Sequence, residues 1–121
     1  MMKNMLVLAY LGDSIYEVYV RKYLVDLGIS KVKKLQKESI KYVSAKAQAA
    51  ILKEMLNNEF LTEEEKNIVM CARNHKNNHK PKSCDIITYK YATGFEALIG
   101  YLYLNDNYAR INQIMCYVIG R

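Results

Sequence analysis

The sequence predicts an all-α domain, and three observations carry that expectation. Apolar residues recur at three- and four-residue spacing along most of the 121 residues. One proline and five glycines leave few places for the chain to turn. No apolar–polar alternation runs long enough to claim a strand; Tyr89 to Tyr91 alternates, but briefly and inside helical spacing. Half of the chain is hydrophobic, so a core is expected without disulfides.

The elements follow in order. Met5 to about Leu27 reads as a long helix, with Leu8, Leu11, Ile15, Val18 and Leu24 as its inward stripe and Gly28 as its stop. Ser30 opens a short lysine-rich turn or helix ending near Glu38. Ile40 to Met55 is expected as one helix. Val43, Ala47, Ala50, Ile51 and Met55 face inward on it, and its alanines permit close approach. Thr62, with Glu65 three residues on, is a capping box that opens a helix running through Ile68 and Val69 to about Asn74. His75 to Asp85 is polar, basic and contains Pro81, the pattern of a functional loop. Thr88 to Leu104 is the next helix, and Tyr108 to Ile119 the last, with Ile111, Ile114, Met115 and Val118 inward. No repeat or linker divides the chain, so residues 1–121 are expected to form a single domain.

Eighteen basic against twelve acidic side chains permit a polyanion partner. Their placement says more. Lys31 to Lys46 holds six lysines and one acid, Glu38; Arg73 to Lys82 holds four fixed positive charges, two histidines and no acid. Such blocks suit a phosphate-tracking surface or two solvated faces. No apolar run reaches membrane-spanning length and no secretion signal is evident, so a cytoplasmic protein without a membrane partner is expected. The three cysteines are an odd, dispersed set, expected as reduced thiols, with Cys71 and Cys116 in the core. Cys71, His75, His79 and Cys84 could hold zinc only in a spacing that fits no standard pattern and among four positive charges. The eleven tyrosines mostly fall at helical spacing, as core or interface residues with hydroxyls reaching polar partners.

Two apolar helices carry isolated acids. Asp13 and Glu17 lie four apart, hence on one helical face. Glu96 is the only charge between Lys90 and Asp106, and Gly94 and Gly100 beside it suggest tight helix packing. An acid in so apolar a helix is paired, metal-bound or at an opening. Carboxylates brought together from two helices would suit magnesium, which activates water and neutralises phosphoryl charge. The alternative is a structural bridge from Asp13 or Glu96 to Arg21 or Lys90.

Leu11-Gly12-Asp13 and Phe95-Glu96-Ala97-Leu98-Ile99-Gly100 resemble the signature helix and second catalytic motif of the ribonuclease III family. Tyr42 to Ala50 and Tyr89 to Thr93 resemble its short branch, Mini-ribonuclease III, which lacks an appended double-stranded-RNA-binding domain. The resemblance spans essentially the whole chain. It implies the all-α ribonuclease III catalytic (endonuclease) domain fold and a homodimer with Tyr10 and Leu11 at the interface. The groove of that dimer accepts duplex RNA. Asp13 and Glu96 are then the catalytic, metal-holding carboxylates, with Mg2+ as cofactor and Mn2+ able to substitute.

The resemblance also makes Arg73, Asn74, Lys76, Lys80 and Lys82 RNA-contact residues, with Ser83 and Lys46 weaker ones. It implies a 23S ribosomal RNA precursor as substrate, with possible help from a ribosomal protein. Longer relatives carry acids where this chain has Ala9, Thr93 and, nearby, Leu6, so a reduced acidic site is expected. Glu17 either assists or pairs with Arg21. The rival readings are a non-catalytic duplex-RNA or ribosome-associated binding module, and a helical structural protein.

Overall fold

The computed structural model describes residues 4–75 and 84–121, which form six helices and, among them, no strand. The helices are α1 (Met5–Asp26), α2 (Val32–Val43), α3 (Ala45–Asn57), α4 (Glu63–Arg73), α5 (Ile86–Leu104) and α6 (Tyr108–Gly120). Helix α5 is central and packs against α1, α3, α4 and α6. Its sequence explains this place: from Ala92 to Leu102 nearly every side chain is buried, and a helix apolar all round must be surrounded.

Local chemistry sets the ends. Asn4, Ser44, Thr62, Asp85 and Asn107 each accept a backbone N–H in the following first turn, satisfying donors the helix leaves unpaired. Thr62 and Glu65 form the reciprocal capping box that their spacing predicts. Gly28, at φ 91°, takes the left-handed conformation that turns the chain out of α1. Helix α5 starts two residues before the expected Thr88, because Asp85 caps it by accepting from the Thr88 N–H at 2.7 Å.

Two expectations about the helices are corrected. The helix expected over Ile40 to Met55 is two helices. Ser44 is extended, at φ −64° and ψ 153°, closing α2 with its own N–H and capping α3 with its hydroxyl. A hydroxyl at an N-cap competes with helix continuation, and here the cap wins. The break re-phases α3: Gln48, Ala49, Ile51, Leu52 and Met55 are buried, while Ala50 is exposed. In α1 the buried stripe is Met5, Leu8, Ala9, Gly12, Tyr16, Val20 and Leu24. Of the expected inward residues, Leu11 and Ile15 are half-buried and Val18 is 62% exposed. Helix α1 is apolar on two opposite faces, so periodicity alone could select the wrong one.

The core runs from Tyr16 and Phe95, edge-to-face at 4.9 Å, through Ile51, Leu52, Leu98 and Ile99 to Ile111, Ile114, Met115 and Val118 on α6. The Tyr16 hydroxyl donates to the Tyr42 carbonyl at 2.9 Å, tying α1 to α2. Arg110 on α6 grips Glu65 through two 2.8 Å hydrogen bonds and donates a third to the Phe60 carbonyl. Burial pushes the Glu65 carboxyl up, but Arg110 and Thr62 outweigh it and hold the group below its usual range. Cys71 and Cys116 are exposed, not core, because each falls outside the buried stripe of its helix. No helix among the described residues is long and apolar enough to cross a membrane.

Candidate active site

The crossing of α1 and α5 is made by glycine. A Cβ at Gly12 would collide with the Glu96 carbonyl and lie 2.8 Å from the Gly100 nitrogen. A Cβ at Gly100 would collide with the Leu8 carbonyl and lie 3.1 Å from the Gly12 nitrogen. The two backbones therefore touch, which only hydrogen side chains permit. The residue after Gly12 is Asp13, and the residue Gly12 touches is Glu96. Backbone contact thus delivers a carboxylate from each helix to one point.

Asp13 is exposed and Glu96 half-buried. Burial, together with hydrogen bonding to and repulsion from Asp13, pushes the Glu96 carboxyl up to about 8, while a hydrogen bond from Gln48 pulls it back in part. The pair is therefore one of close, competing carboxyls, and without a cation it holds a proton near neutral pH. None of the ion pairs among the described residues involves Asp13 or Glu96, so the structural bridge to Arg21 or Lys90 does not form. Glu17 instead pairs with Arg21 at 3.4 Å, the alternative its spacing left open.

Gln48 is the residue that sequence reading missed. It is 1% exposed on α3. Its Nε2 donates to the Val43 carbonyl at 3.2 Å, its carboxamide reaches Glu96, and its Oε1 is buried without a hydrogen-bond partner. A glutamine among alanines reads as a solvent-facing helix residue. Only the Ser44 break turns it inward.

Thr93 is buried and donates to the Tyr89 carbonyl, and Ala9 is buried, so neither adds a charge to the site. Arg73 ends α4 with its guanidinium 4.9 Å from the Tyr91 ring centre, and Lys53 stacks on the same ring at 4.8 Å. Lys53 is a second cation that the charge-block reading overlooked. Asn74 accepts from Arg73 at 2.8 Å, and Lys46 is exposed on the first turn of α3. Lys76, Lys80, Lys82 and Ser83 lie outside the described residues, as does His79. Among the described residues no group of three histidine, cysteine or acidic side chains could hold a metal. Tyr10 is 81% exposed and Leu11 half-buried.

Comparison with known proteins agrees with this architecture. Residues 6–107 match the Ribonuclease III domain. The chain is 47% identical over 116 residues to the Mini-ribonuclease 3 of Enterococcus faecalis, covering 96% of this chain and 88% of that one. It is 41% identical over 116 residues to the Mini-ribonuclease 3 of Streptococcus pneumoniae, covering 96% and 91%. A crystal structure of a Fusobacterium nucleatum protein superposes with a TM-score of 0.88 at 39% identity, covering 98% of this chain and 94% of that one. With its motifs at the α1–α5 crossing and its similarity running nearly end to end, this chain belongs to the ribonuclease III family of endoribonucleases, in the Mini-ribonuclease 3 branch.

Proposed function

We propose that this chain hydrolyses phosphodiester bonds in double-stranded RNA with the help of Mg2+, using Asp13 and Glu96 as its catalytic carboxylates. The observation that carries the reading is their meeting at a glycine-made helix crossing, with the Glu96 carboxyl raised to about 8. Two hard oxygen donors suit a cation that keeps much of its water, not the nitrogen and sulfur preference of zinc. Asp13 and Glu96 would hold Mg2+, which when bound would supply an activated water and neutralise charge developing on the phosphoryl group, with Mn2+ able to stand in for it. Asp13 and Glu96 hold and orient that chemistry. Glu96 must give up its proton for the pair to bind a cation, so affinity rises toward and above neutral pH.

The remaining parts act on the duplex. A-form RNA is gripped through its shape, phosphates and 2′-hydroxyls. Lys46, Arg73 and Asn74 offer phosphate contacts, with Lys76, Lys80 and Lys82 on the adjoining basic segment. Helix α1 presents Tyr10 and Leu11 to a second copy, so that a homodimer brings two sites to the two strands. Within the cytoplasm the substrate is the 23S ribosomal RNA precursor, whose folded ends a ribosomal protein can present.

Cleavage of a precursor duplex with and without Mg2+ tests the reading. Asp13→Asn and Glu96→Gln should each lower the single-turnover rate about 10³-fold, since each removes several kcal/mol of transition-state stabilisation. Wild-type rates in both variants would reject the assignment. Duplex binding by the wild type without any cleavage would instead favour a binding module.

A further inference from the structure

Gln48 has no task in the mechanism above, yet it is the most constrained polar side chain near the site. One Nε2 hydrogen goes to the Val43 carbonyl, an acceptor that fixes which end of the carboxamide is nitrogen. The other is available to Glu96, whose carboxyl the Gln48 side chain pulls down in part against burial and Asp13. Oε1 is left without a partner inside a side chain that is 1% exposed. An unpaired buried acceptor is costly, and a leucine or methionine here would not incur that cost. Orphaned buried oxygens in native proteins commonly mark an ion or a water. Oε1 and Nε2 belong to one rigid planar carboxamide, so the group that serves Glu96 also carries the unpaired oxygen beside the Asp13–Glu96 pair.

We propose that Gln48 supplies the third oxygen of the Asp13–Glu96 cation site, its Nε2 holding the Glu96 carboxylate in place and its Oε1 accepting the cation or one of its waters. Helix α3 thereby joins α1 and α5 in forming the site. The alternative is a core amide that only ties the end of α2 to α5. The proposal rests on the cation-assisted reading above, and its test uses a readout separate from cleavage.

Mn2+ binding to the full chain is measured by electron paramagnetic resonance, and unfolding is followed with and without Mn2+. Gln48→Met keeps the volume and removes both functions; it should fold and bind Mn2+ about 10–100-fold more weakly, the usual loss when a supporting group is removed from a metal site. Gln48→Glu restores an oxygen; it should recover Mn2+ binding to within about tenfold of wild type and gain more Tm from Mn2+ than Gln48→Met. A folded Gln48→Met with Mn2+ affinity within about twofold of wild type overturns the proposal. Should that variant not fold, a Gln48→Glu chain whose Tm ignores Mn2+ overturns it equally. Failure of the nuclease reading looks different: the wild type binds Mn2+ and Gln48→Met weakens it, but no duplex is cut.

Discussion

Glu96 carries a consequence that can be measured before any RNA is added. Its folded-state value of about 8 lies above the ordinary carboxyl value near 4.5, chiefly because burial and Asp13 disfavour its charge. The folded chain therefore holds a proton there that the unfolded chain releases. Stability linked to this group is fully present below about pH 4.5 and is lost as pH rises through about 8. In chelator, Tm should fall between pH 5 and 8.5 by more in the wild type than in Glu96→Gln, and Mn2+ should restore it at the upper end. Equal pH profiles for the two chains would show that Glu96 titrates as an ordinary exposed acid. The same substitution thus has opposite expected effects, stabilising at high pH and slowing cleavage about 10³-fold. That opposition separates a site residue from a core residue, whose loss lowers both.

Glycine decides the matter for the helices. Gly12 and Gly100 bring α1 and α5 into backbone contact, and a methyl at Gly12 has only backbone to displace. Gly12→Ala should force the helices apart, lowering Tm by an amount equivalent to at least about 1–3 kcal/mol and separating Asp13 from Glu96. Gly94→Ala meets the Val69 carbonyl at 2.9 Å and otherwise side-chain atoms of Val69 and Leu52 at 3.3 and 3.5 Å, so it should cost less and spare more activity. Thermal unfolding and single-turnover cleavage of the two variants check the order. The reverse order would deny that the α1–α5 contact is the tighter.

Features that depend on near neighbours in sequence could be read from the residues. The capping box at Thr62, the stop at Gly28 and the inward face of α6 were legible because each depends on neighbours in sequence. Asp13 and Glu96 stood out as acids in apolar helices. The break at Ser44 was not legible, since apolar spacing continues through it and alanine-rich Ala45 to Ala50 favours helix, while the cap that the Ser44 hydroxyl makes cannot be told in advance from a serine inside a helix. With that break hidden, Gln48 could not be placed inside.

Among the described residues, α1 leaves apolar side chains uncovered. Helix α1 buries one face against α5, yet its opposite face is also apolar, with Val7 at 54%, Val18 at 62% and Val25 at 55% exposure. Tyr10, 81% exposed, flanks that stripe. In an amphipathic helix of a monomer the outer face is polar. Here it is a valine stripe along the element that carries Asp13, so a partner on this face would set the spacing between two sites. A second copy is the occupant that the proposed homodimer requires. Val18→Asp tests it cleanly, because a charge at an exposed position costs the folded monomer little but is buried unpaired in an α1–α1 contact. Light scattering should find the wild type at twice the 14.1 kDa chain mass and Val18→Asp at the single mass, with unchanged helical circular dichroism. The variant should retain Mn2+ binding, since Asp13, Gln48 and Glu96 all come from one chain, but lose duplex cleavage, which needs the continuous groove. A monomeric wild type that cuts duplex RNA, or a Val18→Asp chain that stays dimeric, would remove α1 from the interface and leave its outer face without a role in substrate binding.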